Sequence, residues 1–591
     1  MERKSEGMDR QLYKDMGDYR TAFTTQYKRD EVKKWAEEIT YRLLGERKKN
    51  RNEQLREVFR VAAVEFEKRK KEADSLRTQL EQALSTIKIL TEENAELKTR
   101  LETEEGKVNL LNKLVYGKRS EKRQQEQESE QAQHKKRGAV TGHKGRGRTI
   151  PKKLPVKNEV VDIPDDEKFC PNCGLPYRQT SMEETSSEIC MEKVYYVKQI
   201  RRKVYKKTCA CPNQIITAPT PGKLIPKGKF DTSFWVEVLL NKYKNHLPIE
   251  RQVKDMVDYG LTVSNGTLFG GLKKIYLSYL EVLYLGLIES IRQAEHLHID
   301  ETGWKIFTIV DGKNNYRWFI WVLVSKTVVL FVLHPSRGAK VPCKILFDMD
   351  IEEARLLEEL PKKKIRISVD KFSSYKTLER LGLVELFFCW SHQRREFLDM
   401  KTKYPQLAGW AEQWVKRIGL LFHINNQRIA FPKGSPEFKR HDARLRKKIE
   451  EIFSLLTANK IYKHQGQTAV INSMKEHWTG LTLFVTHPEV PMDNNTSERA
   501  LKDPVLGRKN YWGNHTNWAG QLSVAMFSIV QTCTRNNISP RAYLSWYLNE
   551  CIKKGAAPSH DEISSFLPHN LSPDIREKLK VCTPQETTLP A

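Results

Sequence analysis

A heptad repeat constrains the fold of this chain more than any other feature of its sequence. Apolar side chains recur every seven residues at two positions of the repeat, and Asn94 and Glu104 are the only polar residues among them. A period of about 3.5 residues predicts a coiled coil, and one buried Asn commonly favours two strands. A long amphipathic helix packed on its own domain is the alternative. The repeat, here called the seam, consists of Leu76, Leu80, Ala83, Ile87, Leu90, Asn94, Leu97, Leu101, Glu104, Val108, Leu111 and Val115.

The charge of the chain favours a polyanionic partner. Its 101 Lys and Arg residues against 74 Asp and Glu residues give a formal net charge of +27. Because basic side chains near phosphates release condensed counterions, nucleic acid is favoured, and an anionic membrane surface is the alternative. The N-terminal residues lack the apolar segment of a secretory signal. The longest apolar stretch, 318–334, is shorter than the roughly 20 residues of a spanning helix. We therefore expect a cytoplasmic protein with no membrane partner.

The hydrophobic period changes several times along the chain, as expected of 591 residues that cannot share one core. It is helical through the coiled coil and again over 222–292, strand-like to about 390, and helical afterwards, which predicts a multidomain α+β protein. We expect a charged helical region (1–72), a coiled coil (73–116), a basic linker (117–160), a zinc-binding module (161–221), a helical DNA-binding region (222–292), the first part of an α/β core (293–398), a helical insertion (399–488), the second part of the core (489–551) and a C-terminal tail (552–591).

Two of these regions are candidates for contact with DNA. The turn at 260–264 resembles the break of a helix-turn-helix, although many helical pairs share such a turn. Residues 134–153 carry eight Lys or Arg and no acidic residue, so this segment is either a strand along phosphates or a solvated spacer. The candidate contacts in this segment are Lys135, Lys136, Arg137, Lys144, Arg146 and Arg148.

Two short cysteine pairs predict one structural zinc site. Cys170 and Cys173 form a CxxC pair, and Cys209 and Cys211 follow as a CxC pair. Tetrahedral zinc takes four such ligands, and a cytoplasmic compartment keeps thiols reduced. Cys190 could replace one ligand, and buried thiols without a metal are the alternative.

Three carboxylates are candidates for a catalytic metal centre. Asp300 is expected to end one short apolar strand, Asp370 ends another, and Glu498 opens a helix. Two such strands can place both Asp residues at one edge of a sheet, where a divalent cation offsets their repulsion. Three carboxylates can hold two Mg²⁺ or Mn²⁺ ions roughly 3.5 to 4 Å apart, an arrangement suited to displacement at a phosphodiester.

Each of these carboxylates also has a simpler interpretation. Asp300 could cap a turn, and Asp370 could form an Asx-turn with the residues that follow it. Glu498 lies three residues after Asn495, which is the spacing of a capping box, so it could close the start of its own helix.

Two groups of cations lie near these carboxylates in sequence. The first contains His392, Arg394 and Arg395, after a predicted strand, and the second contains Arg508 and Lys509. Cations beside an aromatic ring suit phosphates and an unstacked base, which makes Trp512 a third candidate in the second group. Ordinary packing is the alternative for Trp512 and for Trp518.

The order of these blocks resembles the large catalytic subunit of the insertion sequence 66 family of bacterial transposases. DNNxxER followed by GRKN is the most specific part of the resemblance, which covers roughly residues 75–550. The matching segments are LVYGKRSEK (114–122), CPNCG (170–174), CAC (209–211), NKYKNHLPIERQ (241–252), HIDETGWK (298–305), VDKFSSY (369–375), CWSHQRREF (389–397) and DNNTSERALKDPVLGRKNYWG (493–513).

This resemblance implies an RNase H-like catalytic domain of the DDE type, interrupted by a helical insertion before the glutamate. It maps the catalytic residues onto Asp300, Asp370 and Glu498, with cleavage at element ends and strand transfer of the 3′-hydroxyl into double-stranded target DNA. It also implies small element-encoded accessory proteins as further partners of a nucleoid-associated protein. The heptad repeat independently predicts a homodimer or higher oligomer. Two other interpretations stay open: a nuclease of the same fold that does not join DNA, and a non-catalytic, domesticated DNA-binding regulator.

Overall fold

The computed structural model describes most of the chain from residue 51 onward and divides it into two compact units, with the boundary after Asn112. The described residues are 34, 51–116, 160–162, 164–178, 189, 191, 193–206, 215–309, 316–357, 364–458 and 461–580. Several predictions fall on residues outside these ranges: the basic segment 134–153 with its six candidate DNA contacts, the ligands Cys209 and Cys211, and the alternative ligand Cys190.

The seam lies on one long helix, α1 (Arg51–Tyr116). The helix is longer than the predicted coiled coil, because it begins well before residue 73. Ion pairs one turn apart, such as Arg69 with Glu65 at 3.7 Å, lie along its surface. Most apolar seam residues are exposed, and Leu80 and Leu90 expose 52% and 50% of their surface. The helix is thus established, and its coiled-coil partner stays a prediction.

A short hairpin and a group of helices come before the main sheet. The hairpin joins β1 (Val204–Lys206) to β2 (Ile215–Thr217). The helices are α2 (Thr232–Tyr243), α3 (Ile249–Asp258), α4 (Asn265–Ile275) and, after a π-helical turn at Tyr276–Leu280, α5 (Glu281–Arg292). Gly260 has a φ of 77° in the turn between α3 and α4, and Ser264 caps α4 by accepting from the N–H of Thr267. The predicted pair of helices with a glycine turn is therefore present.

A five-stranded mixed sheet forms the centre of the second unit, in the order β5-β4-β3-β6-β7. The strands are β3 (His296–Lys305), β4 (Arg317–Val324), β5 (Val329–His334), β6 (Ile365–Val369) and β7 (Val384–Phe388). The first three pair antiparallel, whereas β6 runs parallel to both β3 and β7. Each of the five strands was expected from its apolar, β-branched sequence.

One strand boundary differs from the sequence prediction. Asp300 was expected at the end of its strand, but β3 continues to Lys305. The reason is the antiparallel pairing with β4, which keeps the backbone hydrogen-bonded as far as Lys305 opposite Arg317. Asp300 therefore projects from the middle of the central strand, opposite Val322.

The apolar stretch 318–334 forms β4 and β5, as predicted, and their side chains supply much of the core. Trp321 and Leu323 have no exposed surface. Helix α16, Asn517–Arg535, packs across β5, and its Ser528 donates to the carbonyl of Val524 while accepting from the N–H of Phe331. In the part of the chain that the structure describes, no helix combines the length and apolar character needed to cross a bilayer.

Helices make up the rest of the second unit. Short helices α6 (Lys340–Phe347) and α7 (Ile351–Arg355) precede β6, and α8 (Ser373–Arg380) separates β6 from β7. The predicted helical insertion follows β7. The remaining helices are α9 (Trp390–Lys403), α10 (Ala408–Ile429), α11 (Pro436–Thr457), α12 (Gln465–Glu476), α13 (Trp478–Thr482), α14 (Asn495–Ala500), α15 (Lys502–Tyr511), α17 (Pro540–Lys554), α18 (His560–Ile563) and α19 (Pro573–Lys578).

The insertion leaves the sheet and returns to it at one place. At its start, the backbone N–H of Trp390 donates to the carbonyl of Met492, at 2.9 Å. The indole N–H of Trp390 donates to the carbonyl of Leu481 at 2.6 Å. Inside the insertion, the fully buried Arg428 pairs with Asp442 at 2.8 Å. The two ends of the insertion therefore lie next to each other beside the sheet.

Candidate active site

The two aspartates lie at corresponding positions of neighbouring parallel strands. His298 of β3 pairs with Ser368 of β6. Asp300 lies two residues after His298, and Asp370 lies two residues after Ser368 and just beyond the end of β6. Because parallel strands advance in register, the two carboxylates come to adjacent positions at one edge of the sheet.

Each aspartate also accepts a hydrogen bond from nearby backbone. Asp300 Oδ1 accepts from the N–H of Glu301 at 2.8 Å, and Asp370 Oδ1 accepts from the N–H of Phe372 at 2.9 Å. The Asx-turn considered for Asp370 is therefore present. One oxygen of each carboxylate makes this local bond, which restrains the side chain.

The electrostatic environment of Asp300 is set by its burial and by the carboxylates around it. Burial is the main reason that the pKa of Asp300 rises from its usual 3.8 to about 7. The negative charges of Asp370 and Glu498 raise the pKa in the same direction, as does that of Glu301. Such a partly buried group of acids is costly to ionise without a cation. The donor set and its charge thus fit a hard divalent ion, which prefers carboxylate oxygens.

The side-chain positions do not form a ready-made coordination shell. Within the ranges described above, no three His, Cys, Asp or Glu side chains are arranged closely enough to hold a metal ion. Carboxylate-held Mg²⁺ keeps several waters and takes further ligands from substrate phosphates, so its protein ligands need not converge on one point. The three residues are therefore related by the electrostatic effect of Asp370 and Glu498 on Asp300. Their side chains do not form a coordination geometry in the described residues.

Glu498 lies on α14, which packs against β3 and β4. Its side chain makes no capping hydrogen bond at the start of that helix. Instead, its Oε1 lies 3.7 Å from Nε2 of His392 on α9. Asn495, the proposed partner in a capping box, bonds through its side chain to Asp493 at 2.9 Å. Glu498 therefore faces the neighbouring helix and not its own backbone.

A buried asparagine that the sequence analysis did not assign joins α14 to β3. Asn494 exposes 1% of its surface. Its Nδ2 donates to the carbonyl of Ile299 at 2.8 Å, and its Oδ1 lies 3.0 Å from Nδ1 of His298. Its backbone N–H donates to Sγ of Cys389 at 3.2 Å. The DNN motif pointed to this segment, but the partners of Asn494 are far away in sequence.

A second unassigned group supports the loop after Asp370. Glu301 is buried on the opposite face of β3, where it pairs with Arg337 at 2.6 Å and accepts from the hydroxyl of Tyr375 at 2.6 Å. Arg337 also stacks on the ring of Phe372, 4.0 Å from its centroid. Because Phe372 and Tyr375 follow Asp370 directly, these contacts fix the loop that carries the second aspartate.

Lys371 fixes the same loop from the other side. Its Nζ donates to Gln393 at 2.6 Å and pairs with Glu396 at 2.7 Å, both on α9. It also donates to Ser473 of α12 at 2.8 Å. Burial lowers the pKa of Lys371, and Glu396 acts in the opposite direction. The loop after Asp370 is thus tied to the insertion as well as to the sheet.

The second cation group lies alongside the C-terminal half of β3. Arg508 of α15 donates to Thr302 and to the carbonyl of Gly303, which leaves Lys509 exposed beside it. Trp512 ends α15 in a left-handed conformation, with a φ of 64°, and exposes 67% of its surface. Ordinary packing therefore does not explain Trp512. It does account for Trp518, which packs against the core.

Of the first cation group, His392 lies beside Glu498, whereas Arg395 is exposed and Arg394 partly buried on α9. The sequence placed these residues near the same edge of the sheet. Of these residues, His392 is the one whose ring nitrogen lies close to a carboxylate, that of Glu498.

Two of the four predicted zinc ligands, Cys170 and Cys173, lie among the described residues. Cys170 and Cys173 lie in one tight turn, in which the N–H of Gly174 donates to the carbonyl of Cys170 at 2.9 Å. Gly174 has a φ of 70°, a conformation that L side chains rarely adopt. Backbone N–H groups of Asn172 and Cys173 lower the pKa of the Cys170 thiol. This turn favours a thiolate, as a zinc ligand requires.

Comparison with known proteins agrees with the earlier resemblance. Uncharacterized protein y4jD of Sinorhizobium fredii is 25% identical over 456 residues, which cover 74% of this chain and 85% of that protein. Uncharacterized protein y4hP of the same organism is 24% identical over 427 residues, or 67% and 74% of the two chains. The model of the Transposase IS66 family matches residues 227–522, which include the sheet, the insertion and all three carboxylates. Since that match spans half of the chain, the protein belongs to the IS66 family of transposases.

Proposed function

We propose that this protein is a DDE transposase that cleaves double-stranded DNA at element ends and transfers the 3′-hydroxyl into target DNA. Asp300, Asp370 and Glu498 form its catalytic triad. The observation that carries the proposal is geometric: Asp300 and Asp370 occupy corresponding positions of neighbouring parallel strands, and the helix of Glu498 packs against β3, although these residues lie 70 and 198 positions from Asp300 in sequence. The charges of Asp370 and Glu498 also raise the pKa of Asp300, after burial. Carboxylates that repel one another destabilise the fold, and a bound divalent cation would offset this repulsion.

The arrangement of the sheet supports an RNase H-like domain. Three antiparallel strands are followed by two parallel ones, and the first aspartate lies on the central strand. The second follows the adjacent parallel strand, and the glutamate comes from a helix after a long insertion. This placement matches what the family resemblance implies for Asp300, Asp370 and Glu498.

In this proposal, Asp300, Asp370 and Glu498 hold two Mg²⁺ or Mn²⁺ ions. Bound ions of this kind supply an activated water or hydroxyl and stabilise a leaving oxygen. The chain itself orients the carboxylates: backbone N–H groups fix Asp300 and Asp370, and the loop contacts of Lys371 hold the second aspartate in place.

The surrounding cations bind and orient DNA. His392, Arg394 and Arg395 contact phosphates close to the triad, while Arg508 and Lys509 contact them alongside the C-terminal half of β3. The exposed ring of Trp512 offers a face on which a base can stack. The helices of 222–292, together with the zinc module, recognise the element ends. The basic segment 134–153 adds contacts to phosphates, which carry no direct sequence information.

Two further parts of the proposal concern assembly. The exposed seam pairs with the seam of a second copy, which gives a homodimer or higher oligomer, and element-encoded accessory proteins can join it. Cys170, Cys173, Cys209 and Cys211 hold one structural zinc. Metal analysis of the full chain should find about one zinc, and a Cys170→Ser, Cys173→Ser chain that keeps all of it would rule out this site.

The test of the function is a cleavage and joining assay with labelled DNA carrying the ends of the element. We expect Mg²⁺-dependent nicking and strand transfer by the wild-type chain. Asp300→Asn and Glu498→Gln should each lower both rates by roughly 10³-fold or more, since a metal contributes several kcal/mol to the transition state. Glu437→Gln, a carboxylate change on α11 in the insertion, is the matched control.

The outcomes separate the three interpretations. Nicking without joining identifies a nuclease. Specific binding without nicking identifies a regulator that has lost catalysis. Full activity of Glu498→Gln contradicts the triad itself, whichever of these products forms.

A further inference from the structure

The segment that carries Glu498 meets the strand that carries Asp300 at one buried side chain. Asn494 lies immediately before α14, and the amide Nδ2 of its side chain donates to the carbonyl of Ile299. That carbonyl belongs to the peptide group joining Ile299 to Asp300. The side chain of Asn494 is therefore bonded to the same peptide plane from which Asp300 begins.

The backbone of Asn494 continues this connection to the glutamate. Its carbonyl accepts from the N–H of Glu498 at 3.4 Å and from the N–H of Ser497 at 3.2 Å. It also accepts from the hydroxyl of Ser497, at 2.8 Å, and Ser497 has no exposed surface. Two successive hydrogen-bonded links, through one residue, thus connect the backbone of Glu498 to that of Asp300.

The remaining bonds of Asn494 fix the orientation of its amide. Because Nδ2 donates to Ile299, Oδ1 must accept, and the partner at 3.0 Å is Nδ1 of His298. His298 therefore carries its proton on Nδ1. The backbone N–H of Asn494 donates to Cys389, directly before the helix that carries His392. All polar groups of the Asn494 side chain have partners on β3.

We infer that Asn494, held by His298, is a positioning residue that sets the place of Glu498 relative to Asp300. This inference rests on the proposed function, because it assigns Asn494 a task only if the two carboxylates share metal ions. Asn494 itself touches neither carboxylate side chain in the contacts described, and its effect is transmitted through the backbone of α14 and the peptide of Asp300.

A change at Asn494 should weaken metal binding before it abolishes chemistry. In Asn494→Ala, the buried carbonyl of Ile299 and Nδ1 of His298 lose their partner, so α14 is no longer fixed to β3. Mutation of a residue that orients a metal ligand typically lowers metal affinity or activity by about 10- to 100-fold. We expect Asn494→Ala to raise the Mn²⁺ concentration for half-saturation by that factor.

The experiment is a titration of the full-length protein with Mn²⁺, in which electron paramagnetic resonance measures bound and free Mn²⁺. Cleavage of labelled DNA is measured in parallel at low and at saturating Mn²⁺. Asn494→Ala should bind Mn²⁺ more weakly and recover much of its cleavage at saturating Mn²⁺, which a general folding defect would not produce. Asn495→Ala is the matched control, since its amide bonds only within its own turn, to Asp493. It should behave as wild type.

Variants of His298 test the same link if Asn494→Ala does not fold. His298→Ala should shift Mn²⁺ affinity in the same direction. His298→Asn, whose amide nitrogen can take the place of Nδ1, should restore it. The inference is overturned if Asn494→Ala or His298→Ala folds and still binds Mn²⁺ with wild-type affinity and shows the wild-type metal dependence of cleavage.

The proposed function fails in a different way. If the wild-type chain binds no Mn²⁺ that is lost in Glu498→Gln, the triad is wrong and Asn494 has no metal site to organise. If the wild type binds Mn²⁺ through Glu498 and Asn494→Ala binds it equally well, the triad stands and Asn494 is an ordinary buried amide.

Discussion

The helix α1 and the strands of the main sheet both carry a regular apolar pattern, but the two patterns are covered differently. Leu97 in the seam exposes 57% of its surface, whereas Leu323 in β4 exposes none. In the sheet, helices of the same chain cover the apolar face. Across the seam, apolar side chains stay exposed along the length of a helix, which is typical of a surface that meets another copy. The comparison separates a core that one chain completes from an exposed apolar seam, which we propose a second copy covers.

A pair of identical substitutions gives the largest difference between the two regions. Leu323→Ala should lower the free energy of unfolding by about 2 to 5 kcal/mol, because it leaves a cavity in a packed core. Leu97→Ala should leave the unfolding of the sheet unchanged and weaken only self-association. Urea denaturation, monitored by tryptophan fluorescence, measures the first effect, and sedimentation measures the second. Equal losses of sheet stability would mean that the seam packs on its own chain.

Breaking the seam helix should affect assembly next. Leu90→Pro removes a backbone hydrogen bond and costs roughly 3 kcal/mol or more of helix stability. We expect monomers in light scattering at concentrations where the wild type is oligomeric. A proline outside the seam would also break the helix, so it cannot serve as the control. The control is Lys88→Ala, at an exposed position of the same helix that is not part of the seam. Oligomers that persist in Leu90→Pro would place the main contact elsewhere.

The basic segment 134–153 has neither apolar pattern, and its deletion sharpens the comparison by testing charge alone. Each phosphate contact contributes about 0.9 to the slope of log affinity against log salt. Deleting the segment should lower that slope without changing the oligomeric state or the stability of the sheet. Filter-binding measurements over a range of salt concentrations provide the slope. If the slope is unchanged, the segment is a spacer.

The smallest expected effect concerns an acid that the sheet buries. Since burial raises the pKa of Asp300 to about 7 in the folded chain, the folded state favours the protonated acid. Its contribution to stability is complete below about pH 4, the ordinary value for Asp, and is lost as pH rises through about 7. In a chelator, Asp300→Asn should therefore gain stability over wild type as pH increases from 5 to 8, by about 1 kcal/mol given partial solvent access.

That gain is measured as the difference between the two urea midpoints at each pH. A difference that stays constant from pH 5 to pH 8 would show that Asp300 is already ionised throughout. The α1 helix provides no acid buried in this way among its described residues, so the effect belongs to the sheet.

Local patterns were enough to predict the strands, because each has an apolar, β-branched sequence of suitable length. They did not predict that β3 continues past Asp300, since this depends on pairing with β4, whose residues are separate in sequence. The possible capping role of Glu498 was also undecidable from spacing alone. The deciding contact, with His392, joins residues 106 positions apart.

Buried polar residues were the least predictable part of the site. Asn494 lies in a motif that the sequence singled out, but an Asn before a short helix is usually explained by capping. Its partners on β3 are 195 and 196 residues away. Glu301 gave even less signal, because alternate strand residues face opposite sides and its partners Arg337 and Tyr375 come from separate loops and helices.

The closed ends of the helical insertion have a consequence for how such proteins can diverge. Trp390 and Met492 are joined by a backbone hydrogen bond, so the chain between them starts and finishes at the same point. The entropy of closing a longer excursion grows only slowly with its length. The helices between these two residues can therefore become longer, shorter or different in relatives, while the chain that follows returns to the same position beside the sheet.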